Sequence, residues 1–403
     1  MKVKFTELNS GYEGEHRVSR FSPETRSKAI IISILVAVFV FVYILSSVGV
    51  IPLGALFLKA KVSVSGDNER FPISVSSESI LRSDIVGENI ILLTTENVVV
   101  YSPKGKEVYS KPHVYAKPGL TVNDDKAIVF DRAGKGFMLL TNKKVVYEGQ
   151  ADNTIISAQY GENGNYALGT RAKSATSALT VYNKNNKQIF QWNCAYENIV
   201  SIALSDNGKY AGVAVLGAEN GELFTTVQYF GFDYKEALNT QKISGCTPLQ
   251  LSFASNNKLT LVSDKGVYLV DKKGSEKQDV LTYYSSEFNS CDSSAKKNIV
   301  VALAKYGSEN VFEIHLYNPG GKLKTTISAD FEIKNIKISN KYIFALAEDS
   351  LVVYNFGGKE VSEIIFKGEA SGILPTDDFV FIESLDKISR CLSYGDSTIE
   401  ISN

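Results

Sequence analysis

The chain has 403 residues, with 43 Lys and Arg against 44 Asp and Glu, so its net charge is −1. Acidic and basic residues are interspersed with no basic stripe, so we expect no nucleic-acid partner. Hydrophobic residues make up 44% of the chain, as in folded rather than disordered proteins. Its 21 Tyr and 21 Phe, against 9 Pro and 2 Met, favour β-structure.

Residues 1–28 are polar, and the chain then carries no charge from Ala29 to Leu58. A membrane-spanning helix needs roughly 20 apolar residues, and Pro52 cannot continue the helical hydrogen bonds. We therefore predict a transmembrane helix over residues 29–51. A cleaved signal peptide would have an apolar run of only about 7–15 residues and a small-residue cleavage site, and neither fits this leader.

Basic residues before the apolar run predict the orientation of this helix. Arg17, Arg20, Arg26 and Lys28 lie close before it, whereas the basic residues beyond it are offset by acidic ones. The positive-inside rule then places residues 1–28 in the cytoplasm and the large domain outside the cell membrane. A connector of residues 52–70 leads to that domain, which covers residues 71–403.

Two short strand-like motifs alternate along the large domain. One motif ends in an aromatic or aliphatic residue before a turn. The other motif comes before it in each repeat and recurs with the same spacing. The first recurs about every 40 residues, at Tyr101, Leu140, Tyr182, Phe230, Val270, Tyr317, Tyr354 and, in degenerate form, Leu392. Four-stranded repeats of about 40–45 residues are typical of a β-propeller. We predict an all-β propeller of seven or eight blades, with eight favoured, rather than a β-sandwich pair or a β-solenoid.

Three local patterns refine this architecture. The segment FPISV at residues 71–75 is predicted to close the ring as an outer strand of the last blade. Asn207-Gly208 is predicted to form a type I′ hairpin turn, because this dipeptide tolerates the positive φ that such a turn needs. Gly134 and Gly136 lack the strand–loop–helix context of a phosphate-binding loop, so they predict a hairpin turn instead.

Several of these motifs follow one another in a familiar order: FPISV, ILLTTENVVVYSPKGK, HVYAKPGL, AIVFDRAGKGF and VSIALSDNGKYAGVAVLGAENGEL. The order resembles an uncharacterised family of bacterial membrane-anchored β-propellers with WD40- or quinoprotein-like repeats, seen mainly in Gram-positive anaerobes. The resemblance implies a short tail, one helix and an outside propeller, and it implies no activity. Where members tend to have glycine after Asp-Arg, this chain has Ala133, which argues against a special backbone role there.

The four strands of a propeller blade are labelled a to d from the centre of the ring outward. The connections from the outer strand d of one blade to the inner strand a of the next emerge on the same face as the turns between strands b and c. We call this the upper face. Loops on a rigid scaffold often carry function, so we predict a binding surface there, centred on repeats 1 to 4. Longer b–c loops are predicted at 170–177, 217–222 and 306–310. The candidate residues are His113, Tyr115, Asp131, Arg132, Arg171, Lys173, Trp192 and Tyr196.

Two of the predicted roles stay open between alternatives. For Trp192, packing between blades is favoured over a platform for a ligand. Cys194 and Cys246 hold similar positions in neighbouring repeats, and a disulfide between them is chemically allowed outside the membrane, although unpaired buried thiols are favoured. The four cysteines contain no CxxC pair and the three histidines are scattered, so we predict no metal, no cofactor and no catalytic residue.

Three functions from different classes are compatible with this sequence. The favoured one is a non-enzymatic scaffold that binds a protein or cell-envelope partner outside the membrane. The second is an enzyme, but one Trp in 403 residues argues against a quinone-cofactor propeller, and a glycan-active site would need two facing carboxylates. The third is a sensor whose tail is phosphorylated at Ser19, Ser22 or Thr25, against which a simple topology-setting leader is favoured.

Overall fold

The computed structural model describes residues 70–74, 80–274, 278–283, 286–293, 298–307, 311–366, 368–385 and 387–391. Within these residues the protein consists of thirty-two β-strands in eight antiparallel four-stranded sheets. The predicted all-β propeller is confirmed, and its blade number is eight. In this part of the chain no helix is long and apolar enough to span a bilayer. The predicted tail, helix and connector lie outside the described residues.

Strand β1 (Ile73–Ser74) belongs to the last blade, and the next sixteen strands build blades 1 to 4. Blade 1 contains β2 (Ile80–Val86), β3 (Asn89–Thr94), β4 (Asn97–Tyr101) and β5 (Glu107–Pro112). Blade 2 contains β6 (Pro118–Asn123), β7 (Lys126–Asp131), β8 (Gly136–Thr141) and β9 (Val145–Gln150). Blade 3 contains β10 (Ile155–Tyr160), β11 (Tyr166–Arg171), β12 (Ser177–Tyr182) and β13 (Gln188–Cys194). Blade 4 contains β14 (Asn198–Leu204), β15 (Tyr210–Glu219), β16 (Glu222–Gly231) and β17 (Asn239–Ser244).

The remaining strands build blades 5 to 8 in the same a, b, c, d order. Blade 5 contains β18 (Pro248–Ser255), β19 (Lys258–Ser263), β20 (Gly266–Asp271) and β21 (Gln278–Thr282). Blade 6 contains β22 (Ser286–Asp292), β23 (Ile299–Lys305), β24 (Phe312–Tyr317) and β25 (Leu323–Ala329). Blade 7 contains β26 (Asn335–Ile338), β27 (Tyr342–Leu346), β28 (Ser350–Asn355) and β29 (Glu360–Ile365). Blade 8 contains β30 (Gly372–Pro375), β31 (Val380–Glu383), β32 (Lys387–Cys391) and, as its outer strand, β1.

The ring closes through the predicted N-terminal strand. In β1, Ile73 lies opposite Ile388 and Ser74 opposite Lys387 of β32. The backbone N–H of Arg70 donates to the carbonyl oxygen of Lys104 at 3.1 Å. Lys104 lies in the c–d turn of blade 1, on the face of the a–b and c–d turns, which we call the lower face. The pairing of β1 with β32 confirms the prediction that FPISV closes the ring as an outer strand of the last blade.

The core lies between blades rather than within one central cluster. Among the described residues, eight hydrophobic clusters each fill the space between two neighbouring blades. Strand β7 (KAIVFD) shows why the b strands are apolar along their whole length: after Lys126 every residue is buried. Because each blade packs against a neighbour on both of its faces, the b strands do not show the alternation of apolar and polar residues that is typical of a half-buried strand. The repeat markers Phe230 and Tyr317 are 0% and 2% exposed in this core.

The predicted type I′ turn at Asn207-Gly208 is wrong. Gly208 has φ of +66°, but Asn207 stays outside the left-handed region. The Gly208 N–H donates to the Ser205 carbonyl oxygen at 2.9 Å, and Asn207 Oδ1 accepts from the Lys209 N–H at 3.1 Å and the Ser205 hydroxyl at 2.8 Å. Side-chain hydrogen bonds therefore hold a longer loop in which only the glycine needs positive φ.

A later Asn-Gly pair forms the two-residue hairpin instead. Asn220 and Gly221 have φ of +52° and +85°, and they join β15 to β16 with Glu219 paired to Glu222. The long loop predicted at 217–222 is correspondingly wrong, because both strands run through it. Asn-Gly at the end of two long apolar strands closes a tight turn, whereas the pair at 207–208 is drawn into side-chain hydrogen bonds.

Candidate functional site

Most predicted site residues lie in the turns and connections of the upper face. His113 and Tyr115 are in the connection from blade 1 to blade 2, and Asp131 ends β7 just before Arg132. The remaining candidates belong to blade 3 and to the connection that leaves it: Arg171, Lys173, Trp192 and Tyr196. The chain path therefore brings the predicted residues to one side of the ring, although their side chains have different surroundings.

The His113 ring holds its connection against blade 1. Its backbone N–H donates to the Glu96 carbonyl oxygen at 2.7 Å, and its Nε2 lies 3.2 Å from the Thr94 carbonyl oxygen. The Tyr115 N–H donates to His113 Nδ1 at 3.3 Å. A ring whose Nδ1 accepts and whose Nε2 faces a carbonyl is the neutral tautomer with its proton on Nε2. His113 is 9% exposed, so its contacts are structural.

The Tyr115 ring packs between the His113 ring and the backbone at Gly136. Its ring stacks on His113 with centroids 5.2 Å apart. A Cβ at Gly136 would lie 2.6 Å from Tyr115 Cε1, so the glycine leaves room for the tyrosine ring. Burial, followed by the charges of Glu148 and Asp131, raises the pKa of Tyr115 to about 12. The glycine next to β8 thus serves packing, in agreement with the predicted hairpin.

Asp131 fastens a b–c turn to a d–a connection. Its carboxylate accepts from the backbone N–H groups of Ala133 at 2.9 Å, Lys117 at 3.1 Å and Ala116 at 3.4 Å. The side chain is 9% exposed. The backbone φ of Ala133 is not positive, so alanine fits at this position without strain. The carboxylate is therefore directed at the backbone rather than at a ligand.

The same arrangement recurs on the other side of the ring, in blade 5. Asp264 follows β19, as Asp131 ends β7, and its Oδ1 accepts from the Thr247 N–H at 2.6 Å. The backbone also returns this contact, since the Asp264 N–H donates to the Thr247 carbonyl oxygen at 3.2 Å. An acidic residue at this position therefore holds a connection in both blade 2 and blade 5, which are not neighbours. This recurrence argues for a structural role.

The blade 3 candidates are available to a partner. Arg171 and Lys173 have exposed side chains, and the Arg171 backbone is fixed because its N–H donates to the Thr154 carbonyl oxygen at 2.9 Å. Tyr196 is 88% exposed. Arg132 is exposed as well, and one of its guanidinium nitrogens lies 3.4 Å from the Pro118 carbonyl oxygen. Fixed backbones carrying exposed cations and an aromatic ring suit recognition of another molecule.

Trp192 packs in the blade interface, as favoured from the sequence. It is half-buried in β13, and its ring centroid lies 4.9 Å from that of Phe230. It joins the hydrophobic cluster between blades 3 and 4. A ring committed to this contact fills the blade interface, so its binding role stays the less favoured prediction.

No disulfide links Cys194 and Cys246. None of the four cysteines is bonded to another, and the two thiols lie in different layers, one between blades 3 and 4 and the other between blades 4 and 5. The Cys194 thiol donates to a Glu197 carboxylate oxygen at 3.1 Å, and burial raises the pKa of this thiol to about 11. The favoured expectation of unpaired, buried thiols is confirmed.

Sequence analysis missed an apolar component of the upper face. Of the fourteen exposed large hydrophobic residues described, eight lie on this face or at the upper ends of inner strands. Four occupy its turns and connections: Val114, Tyr196, Tyr306 and Leu385. Leu223 lies next to the blade 4 hairpin turn, and Leu81, Val200 and Leu249 lie near the starts of inner strands. Exposed apolar side chains on one face can contribute to an interaction surface.

A charged group near the ring axis was also missed. Asp84, Asp292 and Lys337 lie on the inner strands of blades 1, 6 and 7. Burial raises the pKa of Asp84, and the charge of Asp292 raises the pKa of Lys337. Asp292 Oδ2 accepts from the Ile338 N–H at 3.0 Å, so this group joins blade 6 to blade 7. Polar residues within the predicted inner strands were the signal available in the sequence.

The described residues contain no group of three or more His, Cys, Asp or Glu side chains placed to hold a metal ion. Some carboxylates at the upper face hold connections, as Asp131 does, and others, such as Glu348 and Asp349, are exposed. The arrangement is suited to binding through charge and apolar contact.

Comparison with known proteins agrees with this fold. No curated protein matches the sequence. Among solved structures, the C-terminal WD40 domain of Sif2 is similar, with a TM-score of 0.57 and 10% identity over 80% of this chain and 97% of that domain. A eukaryotic initiation factor has a TM-score of 0.53 and 12% identity over 76% of this chain and 81% of its own. BamB from Moraxella catarrhalis has a TM-score of 0.46 and 13% identity over 79% of this chain and 98% of its own.

At such identities, the similarity to the first two structures, with TM-scores above 0.5, establishes the fold alone. The sequence profile of one family, described as a family of unknown function (DUF5711), matches residues 64–389. This range runs from before β1 to within β32, so it includes all eight blades. The predicted resemblance to an uncharacterised family of β-propellers is confirmed, and the chain belongs to the family of unknown function DUF5711.

Proposed function

We propose that this protein is a membrane-anchored, extracytoplasmic scaffold that binds a protein partner through the upper face of its propeller and catalyses no reaction. The observation that carries this proposal is the upper face itself. It combines exposed cations in blades 2 and 3 with exposed apolar side chains such as Val114 and Tyr196, which are 98% and 88% exposed. Interfaces commonly combine aromatic and Arg residues with a polar rim.

The proposed orientation, with residues 1–28 in the cytoplasm and the propeller outside, rests on the basic residues before the apolar run and on the positive-inside rule.

In-cell crosslinking of the full chain, followed by mass spectrometry of captured proteins, tests the proposal. The informative variant is Arg171→Glu, Lys173→Glu and Tyr196→Ala, because these three side chains are exposed and hold no blade connection. We expect the wild-type chain to capture a specific protein and the variant to lose it.

A matched control carries the same chemical changes on the lower face: Lys184→Glu, Lys187→Glu and Tyr234→Ala. Lys184 and Lys187 are exposed in the c–d turn of blade 3, and Tyr234 is 56% exposed in the c–d connection of blade 4. This control should capture like the wild type. Equal loss in both variants would reject the upper face. Turnover of an envelope glycan, or a cofactor bound to the purified protein, would support the enzyme alternative.

The proposed location has its own test. Protease added to intact cells or protoplasts should digest the propeller and spare residues 1–28 if the tail is cytoplasmic. Protection of the propeller in intact cells, with digestion only after lysis, would reject an extracytoplasmic domain.

A further inference from the structure

Backbone hydrogen bonds join neighbouring turns and connections of the upper face. The Arg132 N–H donates to the Lys117 carbonyl oxygen at 2.9 Å, so the b–c turn of blade 2 lies beside the connection from blade 1. The Ile155 N–H donates to the Gly134 carbonyl oxygen at 2.9 Å, so the connection from blade 2 to blade 3 lies on the other side of the same turn. These three segments therefore hold fixed positions relative to one another.

The same pattern continues through blade 3. The Arg171 N–H donates to the Thr154 carbonyl oxygen at 2.9 Å, and the Thr176 N–H donates to the Cys194 carbonyl oxygen at 3.0 Å. The Thr176 hydroxyl also donates to the Ala195 carbonyl oxygen at 2.9 Å. Five segments therefore lie side by side, and we call them the upper strip: residues 113–117, 131–135, 151–155, 171–176 and 194–197.

The upper strip carries an excess of available positive charge. Two of its three carboxylates are engaged, since Asp131 accepts from backbone N–H groups and Glu197 accepts from the Cys194 thiol. The third carboxylate, Asp152, is exposed. Ion pairs within the described residues involve other basic side chains than those of the strip. The strip has five exposed cations: Lys117, Arg132, Lys135, Arg171 and Lys173.

An exposed apolar side chain lies near each end of the upper strip. Val114 belongs to the first segment and Tyr196 to the last, and both side chains are largely exposed. Beyond the first segment, the b–c turn of blade 1 carries the exposed Glu96, so the run of positive charge stops there. The order across the strip is therefore apolar, cationic and apolar.

The width of the upper strip sets the length of chain that could cross it. Hydrogen-bonded neighbouring backbones lie about 4.8 Å apart, so the four steps between five segments cover about 19 Å. An extended chain rises about 3.3 Å per residue, so about six residues would cross the strip from end to end.

We infer that the upper strip binds an extended acidic segment of a partner protein, about six residues long, with an apolar side chain near each end. The inference rests on the proposed function, because it names the chemistry that the same face recognises. Opposite charges across a protein contact guide association and fix its register, and burial of apolar side chains adds affinity. An anionic polymer such as polyphosphate would meet the cations but would leave Val114 and Tyr196 without a partner, which favours a protein segment.

A short synthetic peptide tests this inference. The probe is Leu-Glu-Glu-Glu-Glu-Leu with a neutral fluorophore, and its fluorescence anisotropy is measured with the full chain in micelles of a non-ionic detergent. We expect saturable binding at low salt that weakens at high salt. Replacing every Glu of the probe by Gln should weaken binding by about tenfold or more, and replacing both Leu by Ala should weaken it by about threefold.

Two matched charge reversals locate the binding site. Arg132→Glu with Arg171→Glu should weaken binding of the acidic probe by about tenfold or more. Lys184→Glu with Lys187→Glu makes an equal change of charge at exposed positions of the lower face, and it should leave binding unchanged. Circular dichroism of each variant verifies folding.

A third variant tests the apolar ends of the strip. Val114→Ser with Tyr196→Ser retains all five cations, so it should still bind the acidic probe. We expect this variant to bind the Leu-ended and Ala-ended peptides equally, whereas the wild type prefers the Leu-ended peptide by about threefold.

Three results would overturn the inference. They are absence of binding at low salt, equal weakening by the upper-face and lower-face charge reversals, and stronger binding of polyphosphate than of the acidic probe, which would indicate an anionic polymer. If the probe does not bind while in-cell capture through Arg171, Lys173 and Tyr196 persists, the proposed function stands with a partner of different chemistry. If the probe binds while cells yield no captured protein, the strip recognises acidic segments and the proposed function fails.

Discussion

The connections 113–117 and 195–197 occupy the same topological position, yet they use their side chains differently. The first is fastened by Asp131, whose carboxylate accepts from three backbone N–H groups, and by the His113 ring. The second is held by Thr176 and Ser177, whose hydroxyls donate to the carbonyl oxygens of Ala195 at 2.9 Å and Glu197 at 2.8 Å, and Tyr196 stays 88% exposed. Position on the ring brings a residue to the upper face, and the neighbouring turn decides whether its side chain remains available.

Replacing Asp131 should have the largest effect on stability. Asp131→Ala leaves three backbone N–H groups without their carboxylate acceptor, and we expect a loss of about 2–3 kcal/mol in the free energy of unfolding. Urea denaturation measures it, with Arg132→Ala as the neighbouring exposed control. Asp264→Ala, which removes one described N–H contact, should cost about 1 kcal/mol. Equal costs for Asp131→Ala and Arg132→Ala would contradict a fastening role.

Trp192 should contribute to stability without contributing to binding. Trp192→Ala removes a half-buried ring from its contact with Phe230. Because full burial of Trp is worth about 3–5 kcal/mol on truncation, we expect a loss of about 2 kcal/mol. Thermal unfolding measures this, and Trp192→Phe should recover most of it. Partner capture lost in a folded Trp192→Phe protein would show that the ring binds a ligand after all.

The buried phenol of Tyr115 should make stability depend on pH in the alkaline range. Its pKa is about 12 in the folded protein and 10.0 in the unfolded reference. As pH rises above 10, the unfolded chain therefore loses this proton first, and its contribution to stability falls until pH about 12. Tyr115→Phe lacks this proton, so its stability should fall less steeply between these values. Parallel curves from urea denaturation at each pH would contradict burial of the phenol.

Replacing the exposed cations should have the smallest effect on folding. For Arg171→Ala with Lys173→Ala we expect a change within about 0.5 kcal/mol in the free energy of unfolding, as for other surface substitutions. The same double variant should reduce partner capture in cells. Comparison with Asp131→Ala by urea denaturation and crosslinking separates the two regions. A large loss of stability here would show that this turn also fastens its blade.

Much of the fold could be predicted from local sequence. The markers from Tyr101 to Tyr354 fall at or near the ends of the c strands, and FPISV supplied the closing strand. The candidate site was predicted less well, since polar residues in loops look alike along the chain. Whether Asp131 contacts the backbone, or Arg171 faces solvent, depends on which other turn or connection lies beside it in the folded protein. Local sequence does not show which one that is.

The sequence by itself determined the repeat and the order of the blades and favoured eight of them over seven, because each blade is a local unit whose apolar strands recur at a nearly constant spacing. Only the tertiary structure decided which thiols share a layer, which polar side chains hold connections and how charge is distributed. The net charge of −1 does not show that the exposed cations Arg132, Arg171 and Lys173 lie on one face of the ring, because the folding of the strands into blades brings their loops there.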